Sequence, residues 1–217
     1  VHGRAGDTSC LIPHLEGMRT QLGRLPDNVV ADAGYGSEEN YAYLEQHGLG
    51  NFVKYNTFYQ DTHHYRKPEV IRQHQFRAEN FDYDPERDEF ICPAQQRLHF
   101  QYASRYTTDN GYVTNQRYYE CDQCNQCPFK PQCTRAKGNR RIRISFRLLE
   151  YRRQARANLT TEAGQRLRAK RSTDVETVFG SIKQNMGFRR FHLRGLEKVK
   201  TEWGLVSIAH NMRKLAA

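Results

Sequence analysis

Apolar residues recur at helical spacing early in the chain. Leu11, Ile12, Leu15, Met18 and Leu22 fall on one face of a 3.6-residue period, and Gly23 follows as a stop. Cys10 sits on that apolar face and reads as a small buried hydrophobe. The run Asn28-Val-Val-Ala-Asp32 then predicts a short buried strand with a carboxylate at its end, broken by Gly34 and Gly36. Ser37 can cap a helix over 38–47 that Gly48 can end, and Asn51-Phe-Val-Lys-Tyr55 reads as a second strand. Strand, helix, strand at this spacing predicts two parallel strands joined by a right-handed crossover.

From Thr57 the pattern changes. Residues 57–80 are polar and His-rich, with Pro68, while 81–118 alternate in the β manner between turn signals such as Asp84-Pro85 and Asn110-Gly111. After Ile144 the chain is helical and basic. One helix is expected from near Thr173 to near Gly187, with Val175, Val178, Phe179 and Ile182 as its buried stripe. A last helix, roughly 196–215, has Leu196, Val199, Trp203, Val206, Ala209 and Met212 on one face. The fold class expected is α/β, in three stretches: 1–66, a β-rich cysteine-containing insertion at 67–145, and a basic helical part at 146–217.

Charge sharpens this division. The 217 residues carry 34 Lys/Arg and 24 Asp/Glu, a net charge of +10. Residues 134–200 hold 19 of the cations and 5 of the acids, so the positive excess lies in the last third. Such asymmetry points to a polyanion, most often nucleic acid; the alternative is a solvated basic helical surface. A mean hydropathy of -0.90 and the absence of long apolar runs exclude a membrane-spanning helix. Aromatic residues make up 12%, which argues against wholesale disorder. No signal-peptide pattern opens the chain, and the start at Val1 reads as part of a longer protein.

Five of the six cysteines lie between 92 and 133. Cys124-Asn-Gln-Cys127, followed by Cys133 and preceded by Cys92-Pro93, offers four soft ligands for tetrahedral zinc. Cys121 also forms a Cys-x-x-Cys with Cys124, so five thiols compete for four places. The expected set is Cys92, Cys124, Cys127 and Cys133, and its role is structural, because four thiolates leave no open position. Reduced, unligated thiols are the alternative. His63-His64 and His74 show no clear ligand spacing and read as a surface loop.

Two carboxylates stand out by position. Asp32 meets a Gly-rich turn at a strand's carboxyl end, where ligands bind in α/β folds; its plain alternative is a turn residue. Glu176 shares a helix face with Lys183, seven residues on, and Gly180 leaves the space between them open. A carboxylate, a gap and a cation can hold a metal ion and a phosphate together. The alternative here is a capping box, Thr173-x-x-Glu176.

Together these stretches resemble a known family. Val-Val-Ala-Asp32-Ala-Gly-Tyr35-Gly-Ser-Glu-Glu-Asn40 is similar to the second-aspartate motif of bacterial insertion-sequence transposases of the DDE superfamily, and Ser-Thr-Asp-Val-Glu176-Thr-Val-Phe-Gly-Ser-Ile-Lys183 resembles their glutamate motif. Gly187-Phe-Arg-Arg-Phe191, Leu193-Arg-Gly-Leu196 and Trp203-Gly-Leu-Val-Ser-Ile-Ala-His-Asn211 extend the likeness. Cys92-Pro and Cys124-x-x-Cys-Pro128 resemble an insertion found in one branch. The resemblance implies a ribonuclease H-like core with an Asp–Asp–Glu triad, in which Asp32 is the second acid and Glu176 the third. It further implies two divalent metals, normally Mg²⁺ (or Mn²⁺), and phosphoryl transfer that cuts and joins transposon DNA ends. Arg171 and Lys183 are then expected beside the metals, with Arg189, Arg190 and Arg194 extending a cationic track along DNA. Cytoplasmic, nucleoid-associated location and a homodimer in the transposition complex complete the implied picture.

The chain departs from the pattern twice. The first acid belongs on an early strand, yet the 31 residues before Asp32 read as helix and loop. Asp7 is the one candidate, in a turn-like Gly-Asp-Thr, so the first acid and the N-terminal DNA-binding region are expected to be missing and the isolated chain inactive. A related branch carries Tyr-x-x-Arg-x-x-x-Glu-x-x-x-x-x-x-Lys. Glu176 and Lys183 fit it, but Ser172 and Ala169 occupy the arginine and tyrosine positions, and Arg171 lies one residue early. Between Asp32 and Glu176 stand 143 residues, more than a bare core needs, which the cysteine-rich insertion accounts for. Competing readings are a non-catalytic zinc-stapled DNA-binding module derived from a transposase, and a metal-dependent nuclease on the same core.

Overall fold

A computed structural model describes residues 6–62, 69 and 74–216. Its architecture is mixed α/β, with two sheets among the described residues. The first is small and parallel: β1 (Asn28–Ala31) pairs with β2 (Gly50–Val53), Asn28 opposite Gly50 and Ala31 opposite Val53. The crossover is α2 (Glu38–Gln46), capped by Ser37, whose hydroxyl accepts the Asn40 N–H at 3.2 Å. The first helix, α1 (Leu11–Leu22), buries Leu11 and Leu15 as the periodicity predicts and ends at Gly23. A five-residue helix, α3 (Phe58–Thr62), buries Phe58. The pair His63-His64 lies outside the described residues; His74 is within them and bonds Asp61 at 2.7 Å.

The second sheet is an antiparallel meander, β3 (Asp82–Asp84), β4 (Glu89–Ile91), β5 (Arg97–Thr107), β6 (Val113–Cys121) and β7 (Arg141–Ile144), each beside the next. Asp84-Pro85 and Asn110-Gly111 fall in its turns. A bulge between Phe100 and Tyr102 breaks the register of the long β5–β6 hairpin. Phe81, Phe90, Leu98, Tyr119, Ile142 and Ile144 make its core together with the buried Cys121 and Cys124. A one-turn helix, α4 (Lys130–Cys133), closes the cysteine loop.

After β7, Ser145 caps α5 (Phe146–Thr160), which buries Tyr151, Ala155 and Leu159 against α2 and β2. Helix α6 (Glu162–Gly180) follows at once; its cap is Thr161, whose hydroxyl accepts the Gly164 N–H at 3.0 Å. This start differs from the expected one near Thr173. Good helix formers run through 165–171, so no break occurs there, and the Thr173 hydroxyl turns back to the Ala169 carbonyl at 3.4 Å. The capping box at Thr173-x-x-Glu176 therefore does not form. A π-helical turn, Ser181–Asn185, ends α6, and α7 (Leu196–Leu215) closes the chain where periodicity put it. Among the described residues no helix is long and apolar enough to cross a membrane.

One residue fastens the two sheets together. Glu38, on the first turn of α2, is buried, and its carboxylate accepts three hydroxyls: Tyr112 at 3.0 Å, Thr114 at 2.7 Å and Ser145 at 2.6 Å. Tyr112 and Thr114 come from the tip of the β5–β6 hairpin and Ser145 from the end of β7. A buried carboxylate needs such partners, because desolvation without them costs several kcal/mol.

Candidate functional site

Asp32 stands at the carboxyl end of β1. There the chain leaves the strand and coils through Ala33–Tyr35, with the Tyr35 N–H on the Asp32 carbonyl at 3.0 Å. The turn passes hard against β2: a Cβ on Gly36 would come within 2.4 Å of the Lys54 carbonyl, so only glycine fits. This close passage aligns Asp32 with Lys54, the residue after β2. The Lys54 ammonium lies 3.5 Å from one carboxylate oxygen of Asp32 and the Arg171 guanidinium 2.6 Å from the other. The two cations are mostly buried, at 13% and 21% side-chain exposure, whereas Asp32 is 52% exposed. Its carboxylate is thus held from below and open above.

Arg171 reaches Asp32 because α6 packs across β1 and β2. Asp7 belongs to the same corner. The Thr8 hydroxyl bonds the Gly34 carbonyl at 2.9 Å, and the Asp7 carboxylate packs against Gly34. Burial raises the pKa of the Tyr35 phenol, and Asp7 and Cys10 raise it further; Arg171 opposes them, and Asp32 adds to the rise. Both acids therefore act on one hydroxyl.

Glu176 is exposed and makes no hydrogen bond or ion pair among the described residues. It stands about 7.5 Å farther along α6 than Arg171 and about 140° around it. The structure brings Asp32 to Arg171 and Lys54. Lys183, Arg189, Arg190 and Arg194 are also exposed and form no ion pair among the described residues. They follow Glu176 through the π-helical turn and the loop before α7. A cleft of about 560 Å³ opens elsewhere, between the hairpin tip and α2, but four acids against Arg143 and Arg152 make it unsuited to a polyanion.

All six cysteines are free thiols. Cys92, Cys121, Cys124, Cys127 and Cys133 line one small, apolar cavity between the β4–β5 turn and the 122–133 loop. The Arg140 N–H points at the Cys124 sulfur at 3.3 Å, and the Cys127 N–H bonds the Cys124 carbonyl at 3.2 Å. Burial pushes the Cys121 thiol up to about 12, with Cys124 and Cys92 adding to the rise and the Gln123 N–H opposing it. Burial likewise raises Cys133; Arg140 opposes, and Cys92, Cys124 and Cys127 raise it further. Among the described residues no three His, Cys, Asp or Glu side chains are grouped to hold a metal ion.

Sequence reasoning missed Lys54 and Glu38. Lys54 was legible in the register: if Ala31 pairs with Val53, the next residues, Asp32 and Lys54, are neighbours. Glu38 had no local signal, since its three donors lie 74 to 107 residues away.

The site is thus a half-open carboxylate at a parallel strand's end, set on two mostly buried cations. Residues 91–216, more than half of the chain, match the family model of the transposase DDE domain, and the chain belongs to that family. No curated protein and no solved structure matches it. The matched stretch includes Glu176, the basic segment, strands β5 to β7 and five cysteines. Strand β3 and most of β4 lie before the matched stretch. Asp32 lies outside the match. A transposase domain acts on DNA, in transposition and DNA recombination.

Proposed function

We propose that this chain carries the second and third acids of a DDE transposase, Asp32 and Glu176, on a ribonuclease H-like core. The observation that carries this is the Arg171–Asp32 contact, which couples the helix bearing Glu176 to the strand end bearing Asp32. In the assembled enzyme the two carboxylates hold Mg²⁺ or Mn²⁺, which supplies the charge that activates water or a DNA 3′-hydroxyl and stabilises the leaving oxygen. Ionised, oxygen-only donors fit such hard cations. Lys54 and Arg171 hold Asp32 in place in the meantime. On binding, Arg171 and Lys183 turn to the phosphates, and Arg189, Arg190 and Arg194 hold the DNA backbone without reading sequence. The first acid lies on a strand other than β1 and β2; Asp7 is the residue to test against this. A bacterial insertion-sequence origin, a nucleoid location and a homodimer in the DNA complex belong to the same proposal.

Cys92, Cys124, Cys127 and Cys133 hold a structural zinc in this reading. The donor chemistry fits: soft sulfurs share one cavity, and a backbone N–H already points at one of them. Zinc bound there would be held by these four residues as thiolates and would tie the loop to the sheet.

The test is Mn²⁺-dependent cleavage of DNA by the complete transposase that carries this chain and the first acid, with Mn²⁺ binding on the same sample. Glu176→Gln is expected to abolish cleavage while DNA affinity stays within about twofold. Mn²⁺ binding that survives Asp32→Asn removes Asp32 from the site. Loss of Mn²⁺ binding in Asp7→Asn makes Asp7 the first acid. One observation favours a second reading, a non-catalytic zinc-stapled DNA-binding module: the Asp32 carboxylate is already paired with two cations. Zinc-dependent DNA binding without cleavage by any metal-loaded form supports it.

A further inference from the structure

Beyond Glu176 the chain builds a pocket that neither the acids nor the cysteines use. Phe179 lies one turn on from Glu176, and Gly180 and Lys183 continue the same face. The π-helical turn then ends α6, and Gly187, at φ 69°, reverses the chain. Phe188 and Phe191 are thereby brought back onto Trp203 of α7. Trp203 lies near-parallel to Phe179, 6.0 Å between ring centroids and 18° between planes, and Phe191 meets its edge at 6.2 Å and 70°. Phe188 packs edge-on to Phe191 at 5.5 Å. The loop is fastened by Glu202, whose carboxylate accepts the N–H groups of His192 at 2.9 Å and Leu193 at 3.1 Å.

These rings wall an open cavity of about 320 Å³. Phe179 and Phe191 remain 44% and 42% exposed in it, an unusual state for aromatic rings in a cluster. Lys183, Arg189 and Arg190 stand on the rim, and no acid lines the cavity. An apolar protein segment would satisfy the rings but leave three rim cations unmatched. A flat aromatic group carried on a phosphate chain satisfies both.

We propose that this pocket takes an unpaired nucleobase of bound DNA, stacked among Phe179, Phe191 and Trp203, with its flanking phosphates on Lys183, Arg189 and Arg190. The inference rests on the DNA-handling reading above, though not on catalysis. A base already unpaired is preferred, because extraction from a duplex must first break its pairing and stacking.

Trp203 is the only tryptophan, so its fluorescence reports the pocket alone. The chain is titrated, without added Mg²⁺, with a duplex bearing a short single-stranded tail and with the same duplex whose tail is abasic. Expected are quenching of Trp203 by the normal tail only and a weaker affinity for the abasic one. Phe179→Leu and Phe191→Leu keep apolar bulk but remove the rings. Each should weaken binding of the normal tail about 5- to 140-fold, with little change for the abasic tail. Arg190→Ala should weaken both DNAs alike and lower the salt slope by about 1. Equal affinity for the two tails, or an unchanged Trp203 signal, overturns the pocket while leaving DNA binding intact. Failure to bind either DNA overturns the DNA-handling reading as well.

Discussion

At the residue scale, the two acids singled out by position live in opposite electrostatic settings, and this separates their roles in stability. Asp32 is the counter-ion of two mostly buried cations. Its replacement by Asn leaves Lys54 and Arg171 without a charge partner in a site that water reaches only from above. A fully buried orphan charge costs 3–5 kcal/mol; half-exposure of Asp32 and screening reduce this, and a loss of about 1–2 kcal/mol is expected. Glu176→Gln touches no partner and should change stability by less than about 0.5 kcal/mol. Urea unfolding of both variants checks the contrast. Equal effects would mean that the Arg171–Asp32 contact is not maintained in solution. Both residues were conspicuous in the sequence, one by its place at a strand end and the other by a motif. What was not legible is that Asp32 pairs directly with Arg171. That depends on the rotation of α6 about its axis, which is set by distant packing against β1 and β2 rather than by local pattern.

At the element scale, the long β5–β6 hairpin and the cysteine loop are joined through His99. Its imidazole bonds Glu89 at 2.6 Å through one nitrogen and Asp122 at 2.6 Å through the other. Desolvation lowers the His99 pKa, but the bonds to Glu89 and Asp122 outweigh it and raise the net value. Glu89 is correspondingly lowered, chiefly by its bond to Arg97, against some desolvation, and then by His99. A raised histidine pKa means that its contribution is complete below the unfolded value near 6.5 and is lost as pH rises through the folded value. The loop carrying Asp122 and Cys124 should therefore exchange its amide hydrogens faster, after correction for intrinsic rates, once the solution passes from pH 6 to above pH 8. His99→Ala should remove that dependence; its persistence would assign the effect to the thiols. Chelating the zinc of the metal-loaded protein should likewise raise exchange across 81–133 before the parallel sheet loosens. Unchanged protection there counts against a structural zinc. The strands and turns of this region were readable from alternation and from Asp-Pro and Asn-Gly pairs. The meander's β5–β6 bulge was not, because it depends on how Phe100 and Tyr102 divide between two faces.

At the scale of the whole molecule, the question is what makes two sheets with separate apolar cores behave as one body. The parallel pair has its own core around Leu44, Val53 and Tyr41, and the meander has another around Phe90, Leu98 and Tyr119. Helix α5 links them covalently through Ser145, but the polar fastening is Glu38. Three hydroxyls from the meander side converge on one buried carboxylate, and each bond to a charged group is worth about 1.5–3 kcal/mol. The hydroxyls keep some bonding to water when the carboxylate is removed, so Glu38→Ala should cost about 2–4 kcal/mol rather than the full sum. The distinctive expectation is in the shape of the transition. With the fastening gone, the cores should unfold in two steps, followed by Tyr fluorescence and by hydrogen exchange of β1–β2 against β5–β6. Glu38→Gln is the control: its amide oxygen still accepts a hydroxyl while its NH₂ group donates to another, so it should retain one transition at lower stability. A single cooperative transition in Glu38→Ala would place the coupling in the apolar packing of α5 instead. The same experiment bears on function, because α2 begins five residues after Asp32 is passed. If Glu38 alone fixes where the meander sits relative to that turn, Glu38→Ala should weaken any metal binding at Asp32 while leaving the stacking signal of Trp203 unchanged.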